Sequence, residues 1–271
     1  MADADAAREA GLPALVPPAS DLPASPAPGR ADPPPVSPPA DETSMTLVDH
    51  LGELRSRLVK TILAVVVLGA IGFWQAGAIV DILRSPIGDR HLVSLSAGGP
   101  FFLYVKIGLV TGVILGMPVI LYQVWAFISP GLTPEERRII RPWVPVALLM
   151  FAIGVIVAWV VLPFALAFLF SFESDAITIQ LTIDNYFGFI TMMFLAFGLT
   201  MQFPIVLYIL SRIGIVTSAR LKAARRYVIL GIAVFATVIT PGGDLVSPTV
   251  LGVTMYVLFE ISIFVIGRSG R

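Results

Sequence analysis

The 271-residue chain has no cysteine and only two histidines, and charged side chains make up just 13% of it. Without thiols it can form no disulfide, thiolate metal site or cysteine nucleophile. The histidines, His50 and His91, stand outside the apolar runs, which leaves imidazole chemistry inside a bilayer without a carrier. Apolar residues take the place of charge: 56% of the chain is hydrophobic and the mean hydropathy is +0.88. Soluble domains carry about a quarter charged residues, so this is the composition of a membrane protein. Formal charge sums to zero, yet residues 1–44 hold seven acidic and two basic side chains, leaving the rest of the chain basic.

That leading segment also holds 11 of the 22 prolines and no periodic apolar face. Such a composition buries too little surface to offset the entropy of ordering. Residues 1–44 are therefore expected to be a disordered Pro/Ala-rich tail ahead of a membrane domain spanning 45–271, with Met45 standing equally well as a start. A signal peptide is not expected, because no basic start leads into an unbroken apolar stretch.

Six apolar stretches follow, near 59–78, 106–128, 143–170, 186–210, 227–240 and 248–266. Most approach the roughly 20 residues needed to cross ~30 Å of hydrocarbon. The fifth is short, with Thr240-Pro241-Gly242-Gly243 ending it soon after Tyr227. Pro118, Pro163 and Pro204 interrupt apolar runs and are expected to kink their helices into a curved wall. The expected fold is thus an all-α polytopic membrane protein with six transmembrane helices. Segments 45–60, 129–142, 211–226 and 267–271 hold 13 Lys and Arg, and the alternate segments hold three: Arg84, Arg90 and Lys106. Because cytoplasmic loops retain basic residues, both ends of the membrane domain are expected in the cytoplasm.

The polar residues narrow the choice of function. No nucleophile sits with a base, no second acid lies within a span to pair with Asp244, and no metal-ligating cluster is evident, so neither an enzyme nor a cofactor site is expected. An ion-coupled carrier would place ionisable groups near the midplane. The deepest strongly polar side chain is Gln202, next to Pro204, with two readings: an interhelical hydrogen bond or contact with a passing or partner segment. Glu260, six residues before Ile266, needs either an ion-pair partner or a docking or proton-linked role. The DHLGELRSRLVK stretch (Asp49 to Lys60) places Leu51, Leu54 and Leu58 at helical spacing, predicting an amphipathic interfacial helix before the first span with Glu53 on its polar side. In WAFISPGLTPEERRIIRP (Trp125 to Pro142), Thr133 can cap a helix starting at Pro134 with Glu136 as its third residue. Capping alone accounts for Glu136, and ligand binding is the other reading.

HLGELRSRL, SPIGD, PVILYQVWAFISPGLTPEERR, FGLTMQFP, TPGGD and MYVLFE occur in the order seen in TatC, and from residue 45 to 266 the chain resembles this family, the receptor subunits of the twin-arginine protein translocase. The resemblance implies a glove-like six-helix bundle in the cytoplasmic (inner) membrane, surrounded by lipid. Its ligands would be Arg-Arg signal peptides of folded cargo, and its partners single-span TatA/TatB-type subunits and further copies of itself, with no nucleic acid. Export would be driven by the proton-motive force. The family's signal-binding carboxylates fall on Glu53 and Glu136, with Phe127 and Leu132 flanking the loop. Arg55, Arg57, Arg137 and Arg138 would then have to be turned aside or paired. Family members commonly carry Glu where this chain has Gln202, a departure that argues against obligatory proton transfer there. Asp244 matches the family's acid of the last outer loop, and Pro86 the proline that shapes the first one, within a cap of residues 81–104. A small-solute secondary transporter is the alternative, weakened by the missing midplane ion site.

Overall fold

Inside hydrocarbon a backbone must satisfy its own hydrogen bonds, and long runs without charge can do so only as helices. The computed structural model describes residues 47–240 and 243–268, and nearly all of them are helical. In order come α1 (Leu47–Trp74), α2 (Ala76–Arg84), α3 (Gly99–Ile128), α4 (Pro134–Ile140), α5 (Trp143–Phe170), α6 (Ile183–Thr200), α7 (Phe203–Arg212), α8 (Ser218–Ile239) and α9 (Val246–Arg268). Two-residue strands β1 (Leu92–Val93) and β2 (Leu181–Thr182) pair in parallel. The expected tail, residues 1–44, lies outside the described residues.

Three details differ from the sequence expectation. First, no separate interfacial helix precedes the first span: α1 runs unbroken for 28 residues. Nothing in the sequence interrupts it, and the Thr61 hydroxyl bonds back to the Arg57 carbonyl without breaking it. Second, Pro204 separates α6 from α7, a full break rather than a kink, while Pro118 and Pro163 are carried within α3 and α5. Third, among the described residues five stretches are long and apolar enough to cross a membrane, α6 and α7 counting together, and α8 is not among them. The fifth helix does not start at Tyr227. It begins nine residues earlier, at Ser218, and runs for 22 residues, about 33 Å at 1.5 Å per residue. Its first turns carry Arg220, Lys222, Arg225 and Arg226, so it is long enough to span but apolar only in its second half.

Contacts between helices fix which ends lie together. His50 of α1 stacks on Phe127 of α3, Trp143 of α5 on Tyr208 of α7, and Arg225 of α8 pairs with Glu260 of α9. One end, called here the basic end, thus gathers the start of α1, the α3–α5 connection, the α7–α8 connection and the close of α9. The opposite, cap end holds α2, β1, β2 and the start of α6. Between them Leu162, Phe187, Ile190, Phe197 and Leu251 form a fully buried core.

Glycines set the closest approaches. A Cβ on Gly108 would lie 2.8 Å from the Gly69 carbonyl oxygen across the α1–α3 seam, and one on Gly154 would lie 2.5 Å from the Phe197 carbonyl across α5–α6. Close small-residue packing holds helices together where lipid removes the hydrophobic drive between them.

The cap is tied down by polar contacts. Tyr186 donates to the Leu83 carbonyl at 2.7 Å. Arg90 bonds Glu173 at 2.7 Å, while its guanidinium lies 4.1 Å from the Phe170 ring centre. The Ile179 amide donates to the same carboxylate at 3.3 Å. The Arg90 hydrogen bond first, then that amide, hold Glu173 below the usual carboxylate range. A lowered pKa contributes stability that is complete above the ordinary glutamate value of about 4.3 and fades as pH falls through the depressed value. Glu173→Gln is therefore expected to speed amide exchange in β1 and β2 at neutral pH, with the difference from the parent closing below about pH 4. Equal exchange at neutral pH would show that the clasp adds nothing.

Candidate functional site

The basic end collects the polar side chains the sequence singled out. Glu53 sits in the second turn of α1, four residues before Arg57, the spacing that brings helical side chains together. Arg57 donates to Glu53 Oε1 through Nε at 2.9 Å and also through Nη2. Its Nη1 reaches Gln123 Oε1 of α3 at 3.4 Å, so one guanidinium joins two helices. Glu53 Oε2 is buried without a hydrogen-bond partner, with His50 Nδ1 3.9 Å away. The His50 ring in turn stacks on Phe127 with centres 4.4 Å apart and planes 18° from parallel. Glu53 and Phe127, 74 positions apart in sequence, are therefore linked through a single imidazole.

Ser129-Pro130-Gly131 forms a 3-10 turn after α3. Arg137 donates to the Ser129 carbonyl at 3.1 Å, closing the turn onto α4. Leu132 is buried and extended between them. Thr133 and Glu136 make a full capping box: the Glu136 amide donates to Thr133 Oγ1 at 3.3 Å, and the Thr133 amide to Glu136 Oε2 at 3.0 Å. Glu136 is thus fixed in orientation by the fold. Of the four nearby arginines, Arg57 and Arg137 are engaged in these contacts, while Arg55 and Arg138 are exposed.

The remaining candidates lie away from this cluster. Gln202 occupies the break between α6 and α7 and donates to the Ala147 carbonyl of α5 at 3.0 Å. Glu260 pairs with Arg225 at 2.6 Å, one carboxylate oxygen remaining buried without a partner. Pro86 sits in the 3-10 turn Ser85–Ile87 at the cap end. Asp244, 4% exposed, accepts from the Ser247 amide at 2.5 Å at the start of α9. Losing such a cap costs about 1 kcal/mol, so Asp244→Ala is expected to lower the melting temperature while Asp244→Asn keeps most of it. Equal melting of all three proteins would contradict the capping role. Among the described residues no three His, Asp or Glu are grouped to hold a metal ion.

Sequence reading named Glu53 and Phe127 separately and missed His50 as the ring between them. It also missed the Arg90–Glu173 clasp, whose partners lie 83 positions apart. The Glu53/Arg57 pair was visible as an i, i+4 spacing, but which arginine would engage the acid was not.

Long apolar helices that carry few charged side chains define a multi-pass α-helical membrane protein. The family model for the Sec-independent protein translocase protein (TatC) matches residues 49–253. The Sec-independent protein translocase protein TatC of Aquifex aeolicus (strain VF5) is 37% identical over 227 residues, covering 81% of this chain and 94% of the relative. That of Escherichia coli (strain K12) is 35% identical over 229 residues, covering 82% and 88%. A crystal structure described as the twin arginine translocase receptor TatC superposes with a TM-score of 0.72 at 36% identity, covering 82% of this chain and all of the other. The chain belongs to the TatC family, and is a membrane-embedded, transport-class component of the Sec-independent protein translocase, a subunit of a complex with other Tat components.

Proposed function

We propose that this chain is the receptor that binds Arg-Arg signal peptides of folded cargo at its basic end and nucleates assembly with single-span partners for export driven by the proton-motive force. The basic end would face the cytoplasm, with the protein in the inner membrane and both termini inside, as the distribution of Lys and Arg favours. The observation that carries the reading is the Glu53 carboxylate, which already accepts a guanidinium and keeps a second, buried oxygen without a partner. Carboxylates accept the planar guanidinium fork bidentately, whereas an ammonium offers a point charge, so placed acids can prefer Arg-Arg over Lys-Lys. Glu136, oriented by its capping box, would supply the second acid, with Phe127 and Leu132 providing apolar contact beside it. Two matched structures are described as twin arginine translocase receptors, which supports the same role here. Gln202 would contribute a hydrogen bond to a signal or partner helix, and Glu260 and Asp244 would hold helix ends.

The test is binding of a fluorescent Arg-Arg signal peptide and its Lys-Lys twin to the purified protein. Arg-selective binding that is lost on Glu136→Ala, with the protein still inserted and folded, is the expected result. Equal binding of the two peptides would remove the two-acid site.

A further inference from the structure

His50, Glu53 and Arg57 follow one another at steps of three and four residues, which places them on one face of α1. That face meets α3, where Phe127 receives the His50 ring and Gln123 the Arg57 guanidinium. The imidazole lies nearly flat on Phe127, and its Nδ1 is 3.9 Å from Glu53 Oε2. That oxygen is buried and accepts no hydrogen bond, although the His50 side chain beside it is 41% exposed. A buried carboxylate oxygen without a donor is costly. An imidazolium N–H could supply the donor with a small movement of the ring.

A flat ring on an aromatic face with a carboxylate at its edge is also the setting that suits a guanidinium, a planar cation that stacks on rings and donates to carboxylates. Glu53 and Phe127 are two of the residues that the receptor reading gives to the signal, and one imidazole touches both. An arginine could use that seat only after His50 had left it. At 3.9 Å a neutral imidazole makes no hydrogen bond to the carboxylate and is held by stacking. A protonated one is drawn to Glu53 and repels an approaching arginine.

Histidine changes charge between pH 5 and 8, and its charged neighbours here are few. On α1 they are Glu53 and Arg57, the second already spent on Glu53 Oε1 and Gln123. On α3, Gln123 to Ile128 contains no ionisable side chain. Beyond it, Glu136 closes the Thr133 capping box and Arg137 bonds the Ser129 carbonyl.

We propose that His50 is an intramolecular competitor for a signal arginine: its ring occupies a guanidinium seat formed by Phe127 and Glu53 Oε2, loosely when neutral and firmly when protonated. The proposal rests on the receptor reading and adds to it that signal binding weakens as the solution at the basic end turns acid.

The experiment uses the full chain carrying His91→Gln, which leaves His50 as its one histidine. An N-acetylated fluorescent Arg-Arg peptide without histidine or acidic residues, and its Lys-Lys twin, are titrated at pH 8 and pH 5.5. Ordinary glutamates, with a pKa of about 4.3, stay ionised at both. Arg-selective binding is expected at pH 8, with an apparent Kd about tenfold weaker at pH 5.5, because affinity falls with the fraction of protein in the competent state. Adding His50→Phe, which keeps a stacking ring without its charge, is expected to make binding independent of pH. Adding His50→Ala should do the same and bind at least as tightly as the His91→Gln parent at pH 8.

Arg-selective binding that is equal at the two pH values in the parent overturns the proposal and leaves the receptor reading standing. So does a pH-dependent loss that persists without His50, or a folded His50→Ala that binds more weakly than the parent at pH 8, which would make His50 a support of the site. Should the His50 variants not fold, the pH profile of the parent decides alone. No Arg-selective binding at pH 8 removes the receptor reading and this proposal with it.

Discussion

Gly112→Ala is expected to lower the melting temperature by about 5–10 °C, corresponding to roughly 2–3 kcal/mol of overpacking. A Cβ at Gly112 would run into the Val65 carbonyl oxygen and lie 2.8 Å from the Gly69 Cα, so it meets backbone, which cannot rotate away. The helices must then separate. The consequence reaches the basic end because the same seam carries the Arg57–Gln123 and His50–Phe127 contacts. The natural absence of cysteine allows a direct readout: His50→Cys with Phe127→Cys should cross-link readily in the parent background and poorly with Gly112→Ala. Gly231→Ala is the control with opposite sign. Nothing lies within 4 Å of its added Cβ, so the better helix former should be neutral or stabilising by up to about 1 kcal/mol. Equal melting of the two variants would show that the seam is not close-packed.

The second large effect separates Glu53 from its neighbour. Under the receptor proposal, Glu53→Ala is expected to weaken Arg-Arg peptide binding by on the order of 10- to 100-fold, the loss of a charge-assisted hydrogen bond of about 1.5–3 kcal/mol. Arg57→Gln should do the reverse. Arg57 occupies Glu53 Oε1 in the free protein, so removing it frees the acceptor and takes away a repelling charge. Binding should tighten, most at low salt, where exposed charges are least screened. Titrations of both variants with the Arg-Arg and Lys-Lys peptides check this. If Arg57→Gln weakens binding as much as Glu53→Ala does, the pair acts as a structural unit that positions α1, and Glu53 is not a free acceptor for the signal.

These effects mark where sequence reading stops. The capping box at Thr133 and Glu136 was legible because it is local, its partners three residues apart in an order that allows little else. The extent of α8 was not, because hydropathy locates apolar surface and a helix continues through charge wherever nothing breaks it. Arg220 to Arg226 therefore lengthen α8 without making it more apolar. Pro204 interrupts its helix and Pro118 does not, a difference that neighbouring helices decide by which backbone groups they re-satisfy.

By itself the sequence determined the solvent, the helical class and the end of the molecule where charge gathers. Each follows from composition along a single chain: hydrocarbon tolerates only self-satisfied backbone, and basic residues gather in alternate connecting segments. The tertiary structure alone decided which distant residues share a site. His50 bridges Glu53 to Phe127, Arg90 clasps Glu173, and α3, α5 and α7 leave an apolar cavity between them. Those juxtapositions depend on helix rotation and on how closely glycine lets two backbones approach, quantities set by packing between segments and encoded in no one of them.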